Sequence, residues 1–277
     1  MIYSCDVFGI SRQAYYKQKH RYIEINLESE DVIRKVQHHR SCMPRTGTRK
    51  LYYLLGNDLP IGRDKLFKLL KANNLLIKQK RSYTKTTMSK HWLRKHPNLL
   101  SEMEPTRPEQ VYVSDITYIK SKENTHYLSL ITDAYSRKTV GYHLSNDMNA
   151  ESVAKALKMA VKERNRQIPL IHHSDRGVQY CSAIYQKILM KNNITPSMTD
   201  GYDCYQNALA ERVNGILKQE FLFNKANNYQ NLRWLIKNSV DIYNNKRPHL
   251  ALNMKTPNFV HQKTDRNKST GYYKNLV

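Results

Sequence analysis

No stretch of about 18 consecutive apolar residues occurs anywhere in this 277-residue chain, which argues against a membrane-spanning helix. No secretory leader is expected either, because Asp6 and Arg12 flank only a short apolar patch at the start. Cysteine is scarce: Cys5, Cys42, Cys181 and Cys204 form no C-x-x-C pair and follow no regular spacing. Reduced thiols of a cytosolic protein are expected, not a disulfide framework. A zinc site fails as well, since His38 and His39 have only Cys42 close by. The largest shortage is of acid. Against 46 Lys+Arg stand 23 Asp+Glu, a net charge of +23. Such an excess favours a polyanionic partner through counterion release and electrostatic steering.

The basic excess is spread along the chain. Residues 1–109 hold 22 basic and 10 acidic side chains, and residues 110–277 hold 24 and 13. Its peak is "KQKRSYTKTTMSKHWLRK" at 78–95, with seven Lys/Arg and no acid. Polar and weakly periodic, this stretch reads as an extended arm or linker. The two prolines of "EPTRPEQ" at 104–110 close it. Four parts follow: a helical region 1–77, a basic linker 78–109, a larger region 110–262, and a tail 263–277.

Before the linker the pattern is helical. Residues 22–39 mix apolar and charged positions at helical spacing, and two short helices are expected near 48–55 and 63–73, around a Gly/Asn/Asp/Pro turn. Leu51, Leu54 and Leu55 would share a core with Leu66, Phe67 and Leu70, leaving Arg63, Lys65, Lys68 and Lys71 outside. That is a helix-turn-helix pattern with its second helix offered to DNA. An ordinary helical hairpin with a solvated basic face fits the same residues. On the DNA reading, Lys65 and Lys68 face a groove, while Lys78, Lys80 and Arg81 grip the phosphate backbone.

After the linker the period changes to two. "VYVSDITYI" (111–119), 125–136 and 138–145 read as strands, the last two joined at "DAYSR". A helix is expected over 151–165, a fourth strand at "PLIHHSD", a helix over 182–192 and a short strand at 194–199. A loop at 200–207 leads into helices 208–221 and 228–245. Three antiparallel strands followed by alternating helix and strand is an α/β layout, a mixed sheet covered by helices.

Three acids stand out in that layout. Asp115 lies among Val111, Val113, Ile116 and Ile119 in the first strand, Asp175 closes the fourth, and Glu211 sits in the first turn of the 208–221 helix. If strands one and four are neighbours, the first two acids meet, and the helix can bring Glu211 to them. Three carboxylates without His or Cys suit Mg²⁺ or Mn²⁺. Structural explanations exist for each acid alone. Asp115 could pair with a Lys across the sheet, Asp175 with Arg176, and Glu211 could complement the helix N-terminus.

The segments "VYVSDITYI", "YLSLITDAYSRKTVGYHL", "HHSDRGVQYCS", "YQNALAERVNGILKQE" and "YNNKRPHLALNMKTP" closely resemble transposases of the insertion-sequence-three family, in their OrfB part. The likeness runs over about residues 9–260. It implies a ribonuclease-H-like, retroviral-integrase-like core with a mixed five-stranded sheet flanked by helices, preceded by a small helix-turn-helix-like region. It also implies that Asp115, Asp175 and Glu211 form the catalytic and metal-binding triad, with two Mg²⁺ (or Mn²⁺) ions in the active complex. The implied reaction is nicking at the element's 3′ ends followed by strand transfer. The implied partners are terminal inverted repeats and target DNA, an OrfA protein or fusion, and further copies of the chain, a dimer or higher on DNA. No membrane partner is expected, and the expected setting is the bacterial cytoplasm, associated with the nucleoid. One departure is visible: Gln206 precedes Asn207 where the family usually has an acid. OrfA itself is not in this chain, so recognition of element ends is expected to be incomplete in it alone.

Other candidates surround the triad. Lys218 lies seven residues after Glu211, two helical turns along the same face, and in the family a basic residue there contacts element-end DNA. Asn207 is expected to order the loop beside Glu211, and Arg176 to support Asp175. His172 and His173 read as second-layer or plain strand-end residues, and Asp133 as a turn cap. Arg247 and His249 of "KRPH" could grip DNA, although Pro248 alone explains a helix stop. Two rival functions stay open. One is a non-catalytic repressor using residues 1–100. The other is a tyrosine recombinase, because "HWLR" and "HSDR" satisfy His-x-x-Arg, yet neither lies in the helical context that chemistry needs.

Overall fold

The computed structural model describes residue 7 and residues 9–78, 92–101, 103–162, 164, 166–200, 207–222 and 225–262. Lys80, Arg81 and most of the 200–207 loop, with Gln206, lie outside the described residues. The chain divides into two compact units, Met1–Lys78 and Gln79–Val277.

The first unit contains α1 (Arg12–Cys42), α2 (Thr48–Leu55) and α3 (Arg63–Ala72). Helix α1 starts on Ser11, whose hydroxyl accepts from the Ala14 amide at 3.1 Å. It begins ten residues earlier than periodicity suggests, because residues 12–21 are mostly polar and carry no apolar stripe. Val32 and Val36 of α1, Leu51 and Leu55 of α2, Leu59, and Leu66 and Leu70 of α3 form one buried cluster. Phe67 does not join them and remains 49% exposed. Leu66 and Leu70, four residues apart, already fill the inward stripe, and Phe67 points a third of a turn away. Arg63, Lys65, Lys68 and Lys71 are exposed. Gly56, at φ +46°, closes α2 in a conformation that a side chain would strain.

The second unit is built on a five-stranded sheet. Its strands are β1 (Val111–Lys120), β2 (Thr125–Asp133), β3 (Thr139–Ser145), β4 (Leu170–Ser174) and β5 (Ile194–Met198), in the order β3-β2-β1-β4-β5. The first three run antiparallel, and β4 and β5 continue parallel to β1. Strand β2 stops at Asp133, three residues short of the expected end. There the carboxylate accepts from the Ser136 amide and hydroxyl, both at 2.6 Å, and from the Glu109 amide at 2.7 Å. Asp133 is thus the turn cap expected of it.

Period-two alternation divides the packing. Tyr112 and Ile116 of β1 and Ile131 of β2 face α4 (Ala150–Val161), α5 (Val178–Cys181) and α6 (Ala183–Lys191). On the opposite face Ile119, Leu128, Leu130 and Leu144 meet α7 (Ala208–Ile216), the π turn Leu217–Phe221 that prolongs it, and α8 (Tyr229–Asn245). The single helix expected over 182–192 is therefore preceded by a short one, and Ser182 caps the second by accepting from the Tyr185 amide. Part of the basic linker stretch also packs here. Leu93 lies against the α4 side, and the Met198 amide donates to the Pro97 carbonyl at 3.2 Å. No described helix is long and apolar enough to cross a membrane.

Candidate active site

Asp115 occupies an odd position of β1, so its side chain leaves the sheet on the α7 side, opposite Leu130 of β2. Strands β1 and β4 pair in register through Val113 and His173. Continuing that register two residues sets Asp115 level with Asp175. Asp175 begins a tight turn, its Oδ1 accepting from the Gly177 amide at 2.9 Å. A Cβ on Gly177 would stand only 2.9 Å from that same oxygen, so a larger residue there would push the Asp175 carboxylate aside. Helix α7 supplies Glu211 in its first turn, on the exposed side.

Two asparagines stitch α7 to β1. Asn207, just before the helix, donates Nδ2 to the Ser114 carbonyl at 3.0 Å, and Asn214 donates Nδ2 to Asp115 Oδ2 at 2.7 Å. Both are buried, and the Oδ1 atom of each has no hydrogen-bond partner among the described residues. Electrostatics binds the acids together. Burial, then the Asp175 charge, pushes Asp115 up to about 7 against the pull of the Asn214 bond, with Glu211 adding to the rise. Glu211 is raised by partial burial and by Asp175. The site is rich in hard oxygen donors, which is the chemistry that fits Mg²⁺ or Mn²⁺. Among the described residues, however, no three His, Cys, Asp or Glu side chains stand close enough to hold an ion. The carboxylates share a field without yet sharing a ligand sphere.

Comparison with known proteins gives this arrangement a family. Models of the integrase core domain match residues 105–204 and 192–257. A Shigella sonnei protein described as an insertion element IS600 uncharacterized 31 kDa protein is 38% identical over 91% of this chain and 95% of its own length. Transposase InsF for insertion sequence IS3fB, from Escherichia coli K12, is 30% identical over 78% of this chain and 77% of its own. The chain belongs to the insertion-sequence-three family of transposases. Its function is that of a transposase, and the repressor and tyrosine-recombinase alternatives are not favoured. Among solved structures, a chain of the simian T-cell lymphotropic virus intasome in complex with PP2A regulatory subunit B56 gamma matches with a TM-score of 0.51. That match has 18% identity and covers 78% of this chain and 70% of the viral one. The fold is accordingly the ribonuclease-H-like one of retroviral integrases.

Within this transposase the remaining candidates separate clearly. Lys218 is half-buried, and burial lowers its ammonium while the Asp115 charge pulls it back up, so it stands in the field of the site. His172 is a core residue: its Nε2 lies 2.8 Å from the Tyr185 hydroxyl, and burial lowers it to about 3. His173 Nδ1 pairs with Ser197 Oγ at 2.9 Å across β4 and β5. Arg176 follows Asp175, partly buried on the turn. The DNA grip considered for "KRPH" is overturned. Arg247 is 3% exposed and holds Glu220 through two bonds, and His249 packs edge-on against Tyr243 at 5.2 Å. Lys65, Lys68 and Lys78 are exposed in the first unit.

Asn214 is the residue that sequence reasoning missed. Glu211, Asn214 and Lys218 are spaced i, i+3, i+7, one stripe of a helix. That spacing was available to find it. Ser114 and Tyr180 lie on the other side of β1, where the Ser114 hydroxyl donates to the Tyr180 hydroxyl at 3.1 Å. The charges of both Asp175 and Asp115 help raise that phenol, after burial.

Proposed function

We propose that Asp115, Asp175 and Glu211 are the catalytic carboxylates of this transposase, acting in nicking at the element's 3′ ends and in strand transfer to target DNA. The observation that supports this reading is geometric: β1 and β4 pair in a register that sets Asp115 level with Asp175, and Asn214 of the helix that carries Glu211 donates to Asp115 at 2.7 Å. Bound there, two Mg²⁺ or Mn²⁺ ions would supply activation of the attacking oxygen and stabilisation of the leaving oxygen of an in-line displacement. The chain's own work is positional. Strands β1 and β4 fix two acids on neighbouring strands, α7 presents the third, and Asn214 orients the Asp115 carboxylate. Lys218, on the same helical stripe, meets a phosphate of the terminal nucleotides. Arg176 and Asn207 brace the turn and the helix start.

DNA is the substrate, held by the basic surface of both parts of the chain. The exposed Lys65 and Lys68 of α3 meet element ends, while Lys78, Lys80 and Arg81 meet backbone phosphate. The viral relative is an intasome chain, and joining two ends requires at least two copies, so assembly on DNA as a dimer or higher is part of the proposal. So are an OrfA partner or fusion and action in the bacterial cytoplasm at the nucleoid. Joining of the element's own ends to plasmid DNA by the purified chain, with and without OrfA and with Mg²⁺ or EDTA, tests the reading. Joining in EDTA, or by Asp175→Asn at the native rate, would refute it.

A further inference from the structure

The helix that carries Glu211 changes geometry before it ends. After Ile216 it widens into a π turn over Leu217–Phe221, with the Leu222 amide donating five residues back to the Leu217 carbonyl at 2.9 Å. Such turns are rare and concentrate at functional sites. Lys218 sits in this one, four residues past Asn214, which donates to Asp115 at 2.7 Å, and the Asp115 charge acts on its ammonium. Glu220, two positions later, leaves from roughly the opposite side of the turn. It meets Arg247, just beyond α8, in a two-pronged ion pair: Nε to Oε2 at 2.7 Å and Nη2 to Oε1 at 2.6 Å. The two side chains are 4% and 23% exposed, the arginine being the deeper.

Arg247 is itself held from several directions. Its amide donates to the Ile242 carbonyl at 2.9 Å, and its guanidinium lies 5.8 Å from the centre of the Tyr243 ring. Tyr243 is fully buried with Val213, Ile216 and Leu217, and its hydroxyl donates to the Arg137 carbonyl at 2.9 Å. The back of the π turn is therefore fastened to a rigid anchor, while its front carries the lysine. Stability alone gives little reason for this pair, since a buried ion pair is commonly replaceable by apolar residues without loss.

We infer that the Glu220–Arg247 pair is a positioning latch, fixing the π turn so that the Lys218 ammonium is presented beside Asp115. It touches neither substrate nor ion and acts only through Lys218. The inference rests on the active-site reading above.

The test compares full-length Glu220→Leu/Arg247→Met with the native chain, each in a native and a Lys218→Ala background. Joining of pre-nicked ends is the readout, with melting temperature measured alongside. The latch variant should join on the order of 100-fold more slowly, the scale of a misplaced catalytic group. Lys218→Ala should lose a similar amount, and the combined variant should lose no more than either. Losses that multiply in the combined variant, or native joining by the latch variant, would overturn the latch alone. Should the double variant melt early, Arg247→Lys takes its place, keeping the charge and losing the fork. A loss that disappears in the Lys218→Ala background supports the latch, and one that persists there refutes it. A native chain that joins no ends with Mg²⁺ and OrfA both present would overturn the active-site reading and the latch with it.

Discussion

The two compact units bury different kinds of side chain. Through Lys78 the described core is aliphatic, and among the described residues there Thr46 is the only buried polar one. The α/β unit instead buries Asp133, His172, His173, Asn207, Asn214 and Arg247, each with a bonded partner. An aliphatic cluster specifies a shape, whereas a hydrogen-bonded polar network specifies where individual atoms sit. On the proposed function, a unit that offers an exposed basic helix to phosphate needs only the first, and a unit that holds three carboxylates in one geometry needs the second.

The largest expected effect falls on the polar unit. Asp115→Asn, Asp175→Asn and Glu211→Gln should each lower end joining by more than about 100-fold, since loss of outer-shell partners alone reaches that scale at metal sites. Binding to element ends should stay near native, because Lys and Arg contacts to phosphate persist. Gel-shift titration beside a joining assay decides it, and near-native joining by any one variant would remove that residue from the triad.

The aliphatic unit should fail differently. Leu66 is fully buried between α1 and α2, so Leu66→Ala should cost about 2–5 kcal/mol by transfer and cavity terms. In scanning calorimetry of the full chain, the transition of the helical unit should move down while that of the α/β unit holds. One shared transition moving as a whole would mean that the two units melt together, and the contrast between them would lose its energetic basis.

That contrast also governs what can be read from residues alone. Strand β1 and the Asp115 position are legible because alternation and an acid in an apolar run are local signals. That β1 and β4 are neighbours, which sets Asp115 level with Asp175, is a matter of strand order, and the β1-β4 pairing bears the order out. Phe67 misleads because composition marks a residue as apolar while rotation about the helix decides whether it points inward. Arg247 misleads for the converse reason: a basic residue beside proline looks solvent-facing until its partner, 27 positions away, is known. The π turn has no periodic signal in the sequence. Asn214 is findable from helical spacing.

A smaller effect sharpens the comparison at Asp115 itself. Its folded value of about 7 exceeds its ordinary value of 3.8. Between about pH 4 and 7 the folded chain keeps a proton that the unfolded chain has released, so stability falls as pH rises through that window and levels off above it. Asp115→Asn removes the dependence. In chelator, the variant should be more stable than the native chain at pH 8, by roughly 1–4 kcal/mol, and equal to it near pH 4. Mg²⁺ at pH 8 should stabilise the native chain and leave the variant unmoved, because only a state that binds the ion gains from it. Urea melts at the two pH values measure this, and a difference independent of pH would contradict the assigned cause.

The smallest effects belong to the basic surface, where single charges meet single phosphates. Lys65 and Lys68 are exposed on α3, and Lys78 is exposed at the end of the unit. Neutralising Lys78, Lys80 and Arg81 should weaken binding about equally on element ends and random duplex. It should also reduce the salt slope by roughly 0.9 for each phosphate left without its cation. Lys65→Ala and Lys68→Ala should instead weaken element ends more than random DNA, as expected of a helix that enters the major groove. Competition binding across a salt series separates the two groups. Equal losses on both DNAs for Lys65 and Lys68 would make α3 a plain basic face. Discrimination between ends would then have to come from elsewhere, OrfA included, and the aliphatic unit would carry affinity without specificity.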